Sequence, residues 1–122
     1  MFLWYITADP KLPESFRLAT QDASNVVFLS SISIWEAVIK HGLGKLTLPA
    51  LPAAYLPQQR IAHGIAALPV DEGAMTHLAE LPSIHRDPFD RLLIAQAMQH
   101  ELTLMTVDRV FNSYPVQLLD VP

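Results

Sequence analysis

The chain has 122 residues, of which 51% are hydrophobic and 16% charged, and it contains no cysteine. This length fits one domain, the composition excludes an intrinsically disordered protein, and the lack of cysteine excludes disulfide frameworks and thiolate metal sites. The formal net charge is −4 without a cluster of basic residues, which argues against a nucleic-acid binder unless a bound cation reverses the local field.

The N-terminal residues lack the features of a signal peptide, since the short apolar stretch has no basic flank and no small-residue cleavage site. No apolar stretch of the sequence approaches the roughly 20 residues that a transmembrane helix needs. We therefore expect a cytoplasmic protein that does not contact a membrane.

Helix-like and strand-like segments alternate along the chain. Helices are predicted at 13–23, 31–44, 53–64, 72–82 and 87–102, and strands at 26–30, 65–71, 103–108 and 116–120. This alternation predicts a single α/β domain over residues 1–122, built on a parallel sheet. In such sheets ligands bind beyond the carboxyl ends of the strands, so candidate site residues are those at strand ends and helix starts.

Four acidic residues lie at such places, namely Glu36, Asp87, Asp90 and Asp108. Each also has a purely structural explanation as a helix cap, a partner of the helix dipole or a solvated side chain. Asp90, however, lies on the apolar stripe of its helix, and an inward-facing carboxylate is costly unless it is paired or binds a metal. Asp108 follows a strand that should be buried and Glu36 has apolar neighbours, so Asp90, Asp108 and Glu36 together predict a shared cation site.

The expected cation follows from the side chains that remain available. The five histidines are scattered and have no zinc-motif spacing, so a zinc site is not expected. Carboxylate oxygens favour hard cations, which predicts Mg²⁺ or Mn²⁺.

Three stretches of the sequence resemble one known family, in the order that the family has them. They are FLWYITADPKLP (2–13), SSISIWEAVIKHGLGKLTLP (30–49) and HRDPFDRLLIAQAMQHELTLMTVDRVFNSYPVQLL (85–119). Together they resemble PIN-domain ribonucleases, specifically the VapC-type toxins of bacterial type II toxin–antitoxin pairs. The resemblance implies a parallel sheet of about four or five strands with helices on both faces, and Mg²⁺- or Mn²⁺-dependent cleavage of RNA.

The resemblance also implies roles for the acidic residues. Glu36, Asp90 and Asp108 match catalytic acids of the family that hold the metal. Asp87 matches a recurrent acid of this subgroup, which is either an outer metal ligand or the N-cap of the following helix. No covalent nucleophile is needed, because a metal-activated water attacks the phosphodiester.

Four further residues are candidates around these acids. Ser33 and Thr106 match polar positions that line the family's site, while Arg86 and Arg91 are candidates for contact with RNA phosphates. The family further implies a cognate antitoxin as partner and a homodimer.

The sequence departs from the family at its start. The family's first strand ends in Leu-Asp-Thr-His, and its aspartate, the first metal ligand, would fall three residues before Met1. Asp9 lies too late in the chain to replace it. Either the start is assigned too late or the chain is a truncated, degenerate copy, and the joint survival of Glu36, Asp90 and Asp108 favours the first explanation.

Three functions stay open at this point. The first is a metal-dependent ribonuclease toxin, and the second is a catalytically impaired PIN module that binds an antitoxin or RNA without cleavage, which the missing acid favours. The third is a small α/β metal-dependent phosphatase. The lack of an Asp-x-Asp nucleophile motif and of a Gly-rich phosphate loop argues against the third.

Overall fold

The structure is a computed structural model, and it describes residues 1–120. These residues form six α-helices, one 3₁₀ helix and two short strands. In chain order the elements are α1 (Phe2–Ile6), α2 (Glu14–Gln21), β1 (Phe28–Ser30), α3 (Ser31–Gly42), α4 (Pro52–Ala62), β2 (Ala66–Leu68), α5 (Gly73–Glu80), α6 (Pro88–Gln99) and the 3₁₀ helix (Arg109–Ser113).

The chain forms two compact units. The inserted unit is Val26–Pro69 and contains β1, α3, α4 and β2. The main unit combines Met1–Asn25 with the chain from Val70 onward, and it contains the other helices.

In the inserted unit the two strands pair in parallel, with Phe28 opposite Ala66 and Ser30 opposite Leu68. Parallel neighbours need a crossover connection, which α3 and α4 supply here. Ser30 ends β1 and also begins α3, because its Oγ accepts the N–H of Ile32 at 3.1 Å. Serine is among the residues that N-cap positions prefer.

In the main unit α6 begins as the sequence predicts. Asp87 is the N-cap and Pro88 the first helical residue, where a missing N–H costs nothing. The helix is buried all round in its middle, because the four consecutive residues Ile94, Ala95, Gln96 and Ala97 are buried and point in different directions. The core of this unit contains Leu81, Ile94, Phe111 and Tyr114, so it joins the segment before α6, the helix itself and the 3₁₀ helix.

Each of the five predicted helices overlaps an observed helix, with α4 beginning one residue before its predicted start, and the predicted strands 26–30 and 65–71 contain β1 and β2. The α/β class and the parallel pairing are therefore confirmed. Within residues 1–120, no helix is both long enough and apolar enough to span a membrane.

The predicted strands 103–108 and 116–120 need correction, because they meet only at one parallel bridge between Leu104 and Leu118. Two local features explain why the ladder stops there. Thr106 Oγ1 accepts the N–H of Asp108 at 3.1 Å and so turns the chain. On the other side the N–H of Leu102 donates to the carbonyl of Ala97 at 2.8 Å, at the end of α6, so it is not available to extend the ladder.

Candidate metal centre

Three potential metal ligands converge at the start of α6. They are His85, Asp87 and Asp90, and one donor atom from each lies within 4.8 Å of the other two. All three residues are half-buried. Among the residues that the structure describes, these three side chains lie close enough together to hold one metal ion.

The first turn of α6 positions the two carboxylates. Asp87 Oδ1 accepts the N–H groups of Phe89 at 2.9 Å and of Asp90 at 3.3 Å. Both bonds end on the same oxygen, so Oδ2 can bind a cation without disturbing the cap. The positive end of the helix dipole stabilises both negative charges at this place.

His85 reaches Asp90 from the segment that precedes the helix. Its Nε2 lies 2.9 Å from Asp90 Oδ2, and the two side chains are 28% and 21% exposed. The backbone N–H of His85 donates to the hydroxyl of Tyr114 at 2.8 Å. Because Tyr114 belongs to the core, the position of His85 is tied to the packing of the whole unit.

A second contact holds the same segment. Arg91 Nη1 donates to the backbone carbonyl of Pro82 at 2.8 Å. Arg91 lies on α6, so this bond ties the backbone three residues before His85 to the helix. The segment 82–87 is thus held by Arg91, by Tyr114 and by the cap at Asp87. Such anchoring keeps ligand atoms in place before any cation binds, which lowers the entropic cost of binding.

The donor set fits a divalent cation. Two carboxylates supply the oxygen ligands that Mg²⁺ and Mn²⁺ prefer, and an imidazole adds a nitrogen ligand that suits transition metals. When two carboxylates lie close together, a bound cation also removes the repulsion between their charges.

Asp108 lies in the same unit but is not a member of this group. It is exposed, and its Oδ1 accepts the N–H of Val110 at 3.0 Å as the N-cap of the 3₁₀ helix. Thr106 orients it through the hydrogen bond to its N–H. The structure therefore gives both residues a local role, and their part in a metal site stays a prediction.

Glu36 and Ser33 lie on α3 in the inserted unit and are half-buried. Glu36 Oε1 lies 3.4 Å from Lys40 Nζ, one helical turn further on. A partly exposed pair of this kind contributes little to stability, so it leaves the carboxylate able to exchange partners. The metal-binding role of Glu36 stays a prediction.

The two candidate arginines differ in their surroundings. Arg86 is exposed between His85 and Asp87, where a phosphate could reach it. Arg91 uses its guanidinium on Pro82, which gives it a structural role in addition to the predicted one.

His85 is the residue that the sequence analysis missed. The five histidines have no zinc-motif spacing, so the histidines gave no candidate ligand. The spacing His-x-Asp-x-x-Asp before a capped helix was the available signal, because the residue two before an N-cap can turn back toward N3.

Comparison with known proteins identifies the family. The model of the PIN domain matches residues 1–117 of this chain. The chain belongs to the PIN domain family. The predicted family is thereby confirmed, while the extent of a single domain over 1–122 stays a prediction.

Two relatives place this PIN domain further. Ribonuclease VapC16 of Mycobacterium tuberculosis (strain ATCC 25618 / H37Rv) is 38% identical over 61 residues, which are 50% of this chain and 43% of that protein. The matched part is thus less than half of the relative's length. The crystal structure of VapBC2 from Rickettsia felis, bound to a DNA fragment from their promoter, aligns with 98% of this chain and 91% of its own at 18% identity, with a TM-score of 0.70. This PIN domain therefore shares its fold with a chain of the VapBC2 structure, and it is homologous to a VapC ribonuclease.

Proposed function

We propose that this PIN domain is a Mg²⁺- or Mn²⁺-dependent endoribonuclease that acts as the toxin of a toxin–antitoxin pair. The observation that carries the proposal is the convergence of His85, Asp87 and Asp90 at the start of α6. Membership of the PIN family and the homology to a VapC ribonuclease support the same activity.

In this proposal the acidic residues hold the cation. Asp90 and Asp87 bind it at the start of α6, and the resemblance to the family's acids gives Asp108 and Glu36 a metal-binding role as well. When bound, a divalent cation lowers the pKa of a water molecule and neutralises charge on the phosphate oxygens. A carboxylate outside the set of metal ligands would orient that water by accepting a hydrogen bond from it.

Other side chains bind the substrate. Arg86 is exposed beside the acids and contacts an RNA phosphate, because a guanidinium matches the geometry of phosphate oxygens. Arg91 contacts a neighbouring phosphate in addition to its bond with Pro82. The resemblance to the family gives Ser33 and Thr106 the role of hydrogen-bonding groups.

The resemblance to VapC-type toxins supports the remaining parts of the proposal. They are a cognate antitoxin, a homodimer and a cytoplasmic location. Of the four or five strands that the resemblance implies, the described residues form two, β1 and β2, and the single parallel bridge between Leu104 and Leu118.

Cleavage of a structured RNA by the purified chain tests the activity. We expect cleavage in Mn²⁺, none in EDTA, and at least a roughly hundredfold loss in Asp90→Asn, since removing one metal-binding charge weakens stabilisation of the transition state by several kcal/mol. Asp120→Asn is the matched control, because Asp120 is an exposed aspartate of the same unit. Glu36→Gln and Asp108→Asn should lose activity as Asp90→Asn does.

Two outcomes would contradict the proposal. Equal cleavage by wild type and Asp90→Asn would exclude a role for this acid. A folded chain that binds Mn²⁺ but leaves RNA intact would instead support a PIN module that binds an antitoxin or RNA without cleavage. Hydrolysis of a phosphate monoester such as p-nitrophenyl phosphate, without cleavage of RNA, would favour a phosphatase.

A further inference from the structure

We propose that His85 is a direct nitrogen ligand of the cation, together with Asp87 and Asp90, and that this ligand makes the site select Mn²⁺ over Mg²⁺. The inference rests on the metal site of the proposed function, but it concerns binding of the cation alone. His85 is not among the acidic residues that the resemblance to the family gives as metal ligands.

The distance between His85 and Asp90 supports a shared cation. Metal–ligand bonds of about 2.1 Å that meet at right angles place neighbouring donor atoms about 3.0 Å apart. His85 Nε2 and Asp90 Oδ2 lie 2.9 Å apart, so both can bind one octahedral cation with little movement. The imidazole would then release its Nε2 proton to solvent or to Nδ1 and would exchange its hydrogen bond to the carboxylate for a bond to the metal.

The anchoring of His85 supports a ligand that is fixed in advance. Its backbone is bound to the buried hydroxyl of Tyr114, and the chain before it is bound to Arg91 through Pro82. A histidine that merely caps a surface carboxylate does not need such support. A metal ligand does, because small displacements change the coordination geometry.

The third donor comes from the helix cap. Asp87 uses Oδ1 for the N–H groups of Phe89 and Asp90, and its Oδ2 supplies the ligand atom. The set is therefore one nitrogen and two oxygens, with the remaining octahedral positions left for water, further carboxylates or substrate.

The nitrogen ligand sets the preference for a metal. Mg²⁺ strongly prefers oxygen ligands, whereas imidazole binds transition ions well and Mn²⁺ accepts both types. We expect Mn²⁺ to bind at least about tenfold more tightly than Mg²⁺. His85→Ala should weaken Mn²⁺ binding by about tenfold or more while it changes Mg²⁺ binding by less than about threefold.

The decisive experiment is electron spin echo envelope modulation spectroscopy of the full chain with Mn²⁺ and no RNA. A directly bound imidazole produces ¹⁴N modulation on the Mn²⁺ signal, whereas an imidazole that only hydrogen-bonds a carboxylate ligand gives much weaker coupling. We expect this modulation in the wild type and its loss in His85→Ala and in His85→Gln. His100→Ala is the matched control, since His100 is exposed at the other end of α6, and it should keep the signal.

The two variants guard against misinterpretation. Glutamine retains a side chain that can hydrogen-bond Asp90, so a loss of modulation in His85→Gln does not come from a displaced Asp90. Thermal unfolding followed by circular dichroism checks that each variant is folded. Isothermal titration with MnCl₂ and with MgCl₂ gives the ratio of the two affinities.

Any of three results would overturn the inference: no binding of Mn²⁺ by the wild type, binding without nitrogen modulation, or modulation that persists in His85→Ala. RNA cleavage tells the two proposals apart. Cleavage without nitrogen modulation would refute the role of His85 and support the ribonuclease activity. Nitrogen modulation without cleavage would support His85 as a ligand and refute the ribonuclease activity.

Discussion

An aspartate caps the start of α6 and also the start of the 3₁₀ helix, but the surroundings of the two aspartates differ. At α6, Asp87 Oδ1 accepts the N–H of Phe89 at 2.9 Å, and at the 3₁₀ helix Asp108 Oδ1 accepts the N–H of Val110 at 3.0 Å. Asp87 is half-buried beside two further donors, whereas Asp108 is exposed and outside that group.

The local bond is therefore not what distinguishes a candidate metal centre from a simple cap. An aspartate before a helix stabilises it by accepting an N–H two or three residues ahead, wherever it occurs. At α6 a second acid at N3 and a histidine held by the core join the cap. Four changes would test this difference.

The largest effect is expected from the core that lies under both helix starts. Ile94 on α6 is fully buried and shares a cluster with Phe111 of the 3₁₀ helix. Ile94→Ala should lower the free energy of unfolding by about 2–5 kcal/mol, because it removes buried carbon atoms and leaves a cavity. Urea unfolding measures this free energy. Ile84→Ala, which truncates a 49% exposed side chain, is the control. An equal loss of stability in both variants would contradict the assignment of the core.

The two caps should differ in their contribution to stability. In EDTA, Asp87→Ala should lower the free energy of unfolding by about 1 kcal/mol, because two N–H groups of a packed helix lose their acceptor. Asp108→Ala should lower it by less than half of that, since the cap is exposed and accepts the N–H of Val110 in a short helix. Parallel thermal melts decide this, and an equal or larger loss in Asp108→Ala would refute the comparison.

The anchor of His85 is found only at α6. Tyr114→Phe removes the hydroxyl that accepts the N–H of His85, and we expect a loss of about 1 kcal/mol in the free energy of unfolding. Mn²⁺ affinity should fall as well, because His85 is then less well placed. Tyr55→Phe, which makes the same change on α4, is the control, and an unchanged Mn²⁺ affinity in Tyr114→Phe would show that the anchor is not needed.

The start of α5 gives a third aspartate, and the smallest effect. Gln99 Nε2 donates to Asp71 Oδ1 at 2.7 Å, and this bond, followed by those from backbone N–H groups, holds the pKa of Asp71 below its usual value. Since the folded state has the lower pKa, the bond adds stability above the usual pKa of about 3.9, and that stability is lost as the pH falls through the folded value.

Gln99→Leu should therefore flatten the pH dependence of the free energy of unfolding at acidic pH. Urea unfolding at a series of pH values between about 6 and 2 measures the slope, since a pKa shift between folded and unfolded states appears only in that window. Gln58→Leu, at an exposed position of α4, should leave the slope unchanged. A slope that is the same in Gln99→Leu and the wild type would exclude this bond as the cause.

Much of the fold could be predicted from the sequence because its signals are local. Asp87 followed by Pro88 predicted the start of α6. The strands at 103–108 and 116–120 could not be predicted correctly. Their apolar residues satisfy a strand pattern, but the turn at Thr106 and the bond of the Leu102 N–H to Ala97 stop the ladder after one bridge.

The acids at the start of α6 were recognisable in the sequence, and so was the family, because both depend on residues a few positions apart. The arrangement of the candidate metal centre depended on tertiary structure. His85 joins Asp90 because the hydroxyl of Tyr114, 29 residues further along the chain, holds its backbone. The use of Arg91 to hold Pro82 likewise requires the folded chain. Hydrogen bonds of this kind depend on where the core places two distant segments, and no short sequence pattern encodes that distance.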